Sequence, residues 1–485
     1  MLAPTSPNDT AECNKTYTSK RRGRVAAPPA VLLSPAQGRR LDSLALYIMR
    51  HLDKTFSLCR RKHPMMQTRQ IAALTILVSL VLITAGWAPP TQPPQTSSDD
   101  RPPNIVIISA DDLGYGDLGS YGHPTVRTPN LDRMATEGQR WTSFYAQAPV
   151  CSPSRAALLT GRLHLRSGMF GRETGVFFPD SLAGLPPTEV TVAEALRELG
   201  YATGIIGKWH LGHRPEYLPT RHGFDSWFGI PYSNDMDWNL PPGLANRTAY
   251  FNPQVDYWRV PLMRDEEEIE RPADQHTVTR RYAEEAVAFI ELHQHEPFFL
   301  YLPHTMPHMP LFRSGVFEGR SSAGVYGDVI EEIDWAVGEV IEVLDRLNLS
   351  TRTLVVFTSD NGPWTSFETH GGSAGPLRHG KGTTFEGGMR VPGIFWWPKG
   401  IQHGVIHGMG VNVDLITIIG QCYFAANRCR GLLLPSVICP KRTVHVVKAR
   451  NKSLHPAFGP IFLAEHLGEQ FFPTVAAFGH GRVSV

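Results

Sequence analysis

The sequence predicts an α/β protein built on one large, mostly parallel or mixed sheet with helices on both faces. Three observations carry that expectation. Short apolar runs alternate with segments of helical periodicity, the order expected when strands are buried on both faces. Four of those runs end in a charged or ligating cluster. Pro (40) and Gly (44) are abundant and no internal repeat is present, which excludes solenoids and coiled coils.

The elements follow in order. Residues 104–109 (NIVIIS) read as a short buried strand. Residues 192–199 read as a helix and 202–206 as the next strand. Residues 276–293 carry Val278, Tyr282, Ala286, Phe289 and Ile290 at helical spacing and lead into a strand at 298–302 (FFLYL). Residues 329–347 form an amphipathic helix before a fourth strand at 354–358 (LVVFT), and 391–397 is a fifth.

The polar residues are placed by the strands. Asp111 and Asp112 follow the first strand, Lys208 and His210 the second, His304 and His308 the third, and Asp360 and Asn361 the fourth. Open α/β sheets bind ligands outside the carboxyl ends of their strands, so the pattern predicts one site at that edge. Asp111, Asp112, Asp360 and Asn361 offer only oxygen donors, which suit Ca²⁺ or Mg²⁺ rather than zinc. Asp117 reads as a turn residue. Cys151 is the only cysteine between Cys59 and Cys422. It is either a bland buried thiol or a nucleophile, or the precursor of one. Pro153 suits a first helical turn, which puts Cys151 at a helix N-terminus, where anions are favoured.

The string CSPSRAALLTGR at 151–162 resembles the signature of the sulfatase family, specifically the eukaryotic arylsulfatases. The resemblance spans roughly 103–414. It implies that Cys151 is oxidised to formylglycine by the formylglycine-generating enzyme during secretion, and that the aldehyde hydrate is the nucleophile. ADDLGYGDLG at 110–119 and SDNGP at 359–363 match the family's calcium ligands, assigning one Ca²⁺ to Asp111, Asp112, Asp360 and Asn361, with the formylglycine made from Cys151 as a further ligand. Arg155 would orient the nucleophile. Lys208 and Lys381 (in GKGTTFEGG, 380–388) would neutralise charge on the transferring group. His210 (in GKWHLG, 207–212) would help eliminate sulfate in a second step, which a plain thiol could not perform. His308 with Lys381 would serve the leaving alcohol, preferred over His304 because it precedes Met309-Pro310. Ser233 matches a serine that contacts sulfate. The expected substrate is a sulfated small molecule, glycan or glycolipid.

The expected organisation is an extension over 1–64, a signal peptide or anchor over 65–88, a linker over 89–102, a catalytic domain over 103–420 and a divergent tail over 421–485. The apolar stretch 71–86 is short for a membrane span and suits a signal-peptide core. Membrane attachment is expected only if it is not cleaved. This points to the secretory pathway: the lysosome first, otherwise secretion or the endoplasmic reticulum. Asn246-Arg-Thr and Asn348-Leu-Ser are glycosylation acceptors consistent with that route. A net charge of +2 with 19% charged residues gives no field for nucleic acid. The family's small C-terminal domain is expected to be missing or replaced. Cys422, Cys429 and Cys439 lie in the tail without a partner pattern. Two other readings stay open: a catalytically silent isoform, on account of the tail, and a phosphodiesterase or phosphonate hydrolase of the same superfamily.

Overall fold

The computed structural model describes residues 101–171 and 175–427. The expectations for the extension, the 65–88 segment, nearly all of the linker and the chain beyond 427 lie outside them.

Strand β1 (Asn104–Ala110) is buried along its whole length, as a strand covered on both faces must be. The others are β2 (Gln139–Tyr145), β3 (Ala202–Ile206), β4 (Ser226–Gly229), β5 (Leu262–Arg264), β6 (Glu267–Glu270), β7 (Phe298–Pro303), β8 (Thr353–Ser359), β9 (Arg390–Trp396) and β10 (Gly404–Val411). They form one sheet of order β10-β2-β9-β8-β1-β7-β3-β4-β5-β6. The middle run from β8 to β4 is parallel. Both flanks include antiparallel pairs, β8–β9 and β2–β9 on one side and β4–β5–β6 on the other, so the sheet is mixed.

The helices are α1 (Pro129–Glu137), α2 (Cys151–Thr160), α3 (Val192–Glu198), α4 (Asn246–Phe251), α5 (Val278–Leu292), α6 (Gly324–Arg346), α7 (Glu386–Met389) and α8 (Leu415–Asn427). Side-chain alternation along the strands sorts them into two layers. Val106 and Ile108 face a core shared with Leu131 of α1, Tyr282 of α5 and Val337 and Ile341 of α6. Ile105 and Ile107 face a second core shared with Leu158 of α2, Leu196 of α3 and Ile419 of α8.

The expected elements are present with shifted ends. The helix expected from 329 starts five residues earlier, at Gly324. A capping box at Thr191 and Glu194 opens α3. Five strands carry no clear sequence signal. β4, β5 and β6 are three or four residues long, β2 breaks its alternation at a bulge, and β10 is glycine-containing and largely exposed. Helix α8 runs without a break through Gly420, where the sequence changes character.

Register brings the predicted edge together. Ala110 pairs with Ser359, and Ser109 with Pro303. Backbone bonds continue the ladders past the strand ends: Asp360 N–H to Ala110 O at 3.1 Å, His304 N–H to Ser109 O at 2.8 Å and Lys208 N–H to Pro303 O at 2.8 Å. Gly207 makes the last of these possible. Its φ is 131°, and a Cβ there would lie 1.9 Å from Pro303 O.

Among the described residues, no helix is long and apolar enough to cross a membrane.

Candidate active site

Cys151 is the first residue of α2 and is buried. Its Sγ lies 3.4 Å from Asp111 Oδ1. Burial, then the Asp111 carboxylate, push this thiol well above its ordinary range. One turn on, Arg155 donates from Nε to Asp360 Oδ2 at 2.8 Å and from Nη1 to the carbonyl of Lys208 at 2.7 Å. That double attachment ties the signature helix to the ends of β8 and β3.

Asp111, Asp112 and Asp360 are fully buried side by side, facing Arg155, Lys208 and Lys381. Lys208 Nζ lies 2.5 Å from Asp111 Oδ2 and donates to Ser233 Oγ at 3.0 Å. Lys381 Nζ lies 2.7 Å from Asp112 Oδ2. Burial opposes ionisation of Asp111, yet Lys208, His308 and Arg155 hold it well below the usual carboxylate range. Burial and Asp111 push Asp360 the other way, up to about 7, against the opposing pull of Arg155. Asp112 accepts from Asn361 Nδ2 at 2.7 Å, and its backbone N–H donates to Asp360 Oδ1 at 3.2 Å. Asp112 also takes a left-handed backbone, φ 65°.

The donor set fits a hard divalent cation. Three buried carboxylates converge, and Asn361 Oδ1 is buried with no hydrogen-bond partner among the described residues. An orphaned buried amide oxygen beside carboxylates is what an oxygen-seeking cation satisfies. Ligand atoms of Asp111, Asp112, Cys151 and His308 also lie within 4.8 Å of one another.

The two histidines have defined tautomers. His308 Nδ1 sits 2.6 Å from the carbonyl of Met309, which can only accept, so the proton is on Nδ1. Its Nε2 then faces Ser233 Oγ at 3.4 Å and Asp112 Oδ2 at 3.5 Å. His210 reverses the arrangement: Nε2–H donates to the carbonyl of Phe177 at 3.0 Å, leaving Nδ1 without a partner among the described residues. Burial, then nearby cations, hold both rings well below the ordinary imidazole range.

His304 is buried, and neither ring nitrogen has a partner among the described residues. His308, not His304, contacts the cluster. Asp117 accepts from the N–H groups of Gly114 and Ser373 and from the Tyr326 hydroxyl, so it ties loops together. The spacing of the sequence does not single out Trp364. The indole of Trp364 nevertheless lies 4.3 Å from Lys381 Nζ, and its only sequence cue is its place three residues after Asn361.

Comparison with known proteins agrees with this geometry. The protein is 44% identical over 357 residues to N-acetylgalactosamine-6-sulfatase of Sus scrofa, covering 72% of this chain and 66% of that protein. It is 45% identical over 329 residues to arylsulfatase A of Homo sapiens, covering 65% and 63%. The chain thus spans a little under two thirds of the length of these relatives. The crystal structure of Ps i-CgsB in complex with k-i-k-neocarrahexaose superposes with a TM-score of 0.58 at 32% identity, covering 67% of this chain and 72% of that one. The sulfatase family profile matches residues 103–423, the stretch that carries every described strand and every residue of the cluster, and the chain belongs to that family.

Proposed function

We propose that this protein hydrolyses sulfate esters, with Cys151 converted to formylglycine by the formylglycine-generating enzyme and one calcium ion held by Asp111, Asp112, Asp360 and Asn361 beside residue 151. The observation that carries the reading is the position of Cys151: it opens a helix, 3.4 Å from a carboxylate of a buried, oxygen-rich cluster that three cations face. Calcium there would polarise a sulfate oxygen. Formylglycine hydrate would supply one hydroxyl to attack sulfur and a second whose deprotonation expels sulfate.

The chain's own groups do the rest. Asp111, Asp112 and Asp360 balance Arg155, Lys208 and Lys381, so a dication leaves the pocket net positive and suited to a sulfate monoester. Arg155, fixed by Asp360 and by the Lys208 carbonyl, orients residue 151. Lys208 and Ser233, 3.0 Å apart, form one wall for the sulfate oxygens. His210, whose Nδ1 is left unprotonated by the bond of Nε2 to Phe177, would remove a proton from residue 151. Lys381 would stabilise the leaving alcohol, joined by His308 once its Nε2 has taken up a proton. The substrate is a sulfated small molecule, glycan or glycolipid. The compartment is the secretory pathway, with the lysosome its favoured end.

The test is expression in secretory cells beside Cys151→Ala, with turnover of an aryl sulfate and the mass of the 141–155 peptide as readouts. Turnover that vanishes in the variant, with an aldehyde at 151 in the wild type, supports the proposal. Soluble wild-type protein no faster than the variant sinks it.

A further inference from the structure

Trp364 touches both groups assigned to the leaving alcohol. The ammonium of Lys381 lies 4.3 Å from the centre of its ring. The His308 ring lies 5.3 Å away, centroid to centroid. Lys381 is nearly buried, with 11% of its side chain exposed, so water screens the cation–π contact little.

The indole itself is held in place. Phe367 packs edge-on at 4.7 Å and Tyr250 at 6.5 Å. Tyr250 is also 5.0 Å from Phe367, and its hydroxyl donates to Asp235 at 2.9 Å. Two chain segments distant in sequence thus converge on one ring.

We infer that Trp364 is a positioning residue: its face fixes the Lys381 ammonium and its tilted contact fixes the His308 ring, so that both meet the leaving oxygen. The inference rests on the sulfate-ester reading above. A lysine has four rotatable bonds and a strongly hydrated head. Its carboxylate partner, Asp112, restrains only one side of the ammonium. The indole supplies the second restraint without neutralising the charge.

The consequence is selective. A group that stabilises the leaving alcohol matters most when that alcohol is a poor leaving group. Trp364→Leu and Trp364→Phe are therefore compared with wild type on 4-nitrophenyl sulfate and on phenyl sulfate, whose leaving phenol is the stronger base. Thermal unfolding is recorded in parallel, so that rates refer to folded protein. Trp364→Leu is expected to lower kcat on phenyl sulfate about tenfold, the loss of a desolvated cation–π contact. The loss on 4-nitrophenyl sulfate is smaller, and KM moves by less than about twofold. Trp364→Phe, which keeps a ring face, recovers part of the loss.

Equal loss on both esters in folded Trp364→Leu overturns the inference, because a purely structural role does not sense the leaving group. So does a rise in KM at constant kcat, which marks Trp364 as a substrate platform instead. Should Trp364→Leu fail to fold, Trp364→Phe decides by the same comparison: an unchanged preference between the two esters overturns the inference. Wild type inactive on both esters overturns the hydrolase reading and this inference with it.

Discussion

Asn361 places a buried Oδ1 without a partner beside three buried carboxylates, an arrangement unfavourable in the protein alone. Carboxylates at this spacing repel, and burial alone pushes both Asp112 and Asp360 up. A bound dication removes both penalties, so metal binding adds to folding stability by mass action. Calcium at about a hundred times its dissociation constant is expected to raise the melting temperature by about 4 °C or more over protein in EGTA. Asp112→Asn keeps the side-chain shape and removes one charge, and its melting curve is expected to respond far less to calcium. Differential scanning calorimetry across a calcium titration checks this; a wild-type curve indifferent to calcium would count against the assignment. Most of this cluster was legible because each pair follows an apolar run, and strand ends converge. Trp364 was not, because one aromatic residue in a loop has no period to betray it. His304 and His308 were separable only by a motif; packing distinguishes them, leaving one unpartnered and turning the other toward Asp112.

The long periodic helices and the buried apolar strands were the elements the sequence predicted. Helices α5 and α6 appear close to the expected bounds because each buries a continuous apolar stripe. Strands β4, β5 and β6 escaped because a short strand buries little, and β2 and β10 because a bulge in one and an exposed face in the other break strict alternation. The first turn of α1 also depends on an element far away in sequence. Its N-cap, Thr128, makes no side-chain cap. Asp334 of α6 supplies one instead: Oδ1 accepts from the Leu131 N–H at 2.8 Å, and Oδ2 from the Asn130 N–H at 3.2 Å and side chain at 3.0 Å. Asp334 is 2% exposed, so its removal leaves buried donors unsatisfied. Asp334→Ala is expected to cost about 3 kcal/mol in unfolding free energy. The remaining folded protein keeps its specific activity, because no catalytic side chain touches Asp334. Urea unfolding followed by tryptophan fluorescence measures the first; activity per folded molecule measures the second. A loss under about 0.5 kcal/mol would mean that the first turn of α1 is satisfied without α6.

One sheet serves as the wall of both cores, and this decides how the molecule fails. Ile105 and Ile107 belong to one core, Val106 and Ile108 to the other, on the same seven-residue strand. Neither layer can separate without exposing the sheet that the other covers. The site is distributed in the same way. Asp111 leaves β1, Lys208 follows β3, His308 follows β7 and Asp360 leaves β8, while Arg155 pins α2 across two of those ends. The proposed catalysis therefore requires the central parallel strands to be in register together, and no subset of them holds the cluster. For the described core, loss of activity and loss of tertiary packing are expected to be one event. In a urea series at fixed calcium, the midpoint for aryl-sulfate turnover and the midpoint for tryptophan fluorescence should coincide. Activity disappearing at clearly lower urea would show that the edge of the sheet opens locally before the cores part. The Trp364 loop would then be the first place to look, because its ring contacts reach the site from outside the sheet.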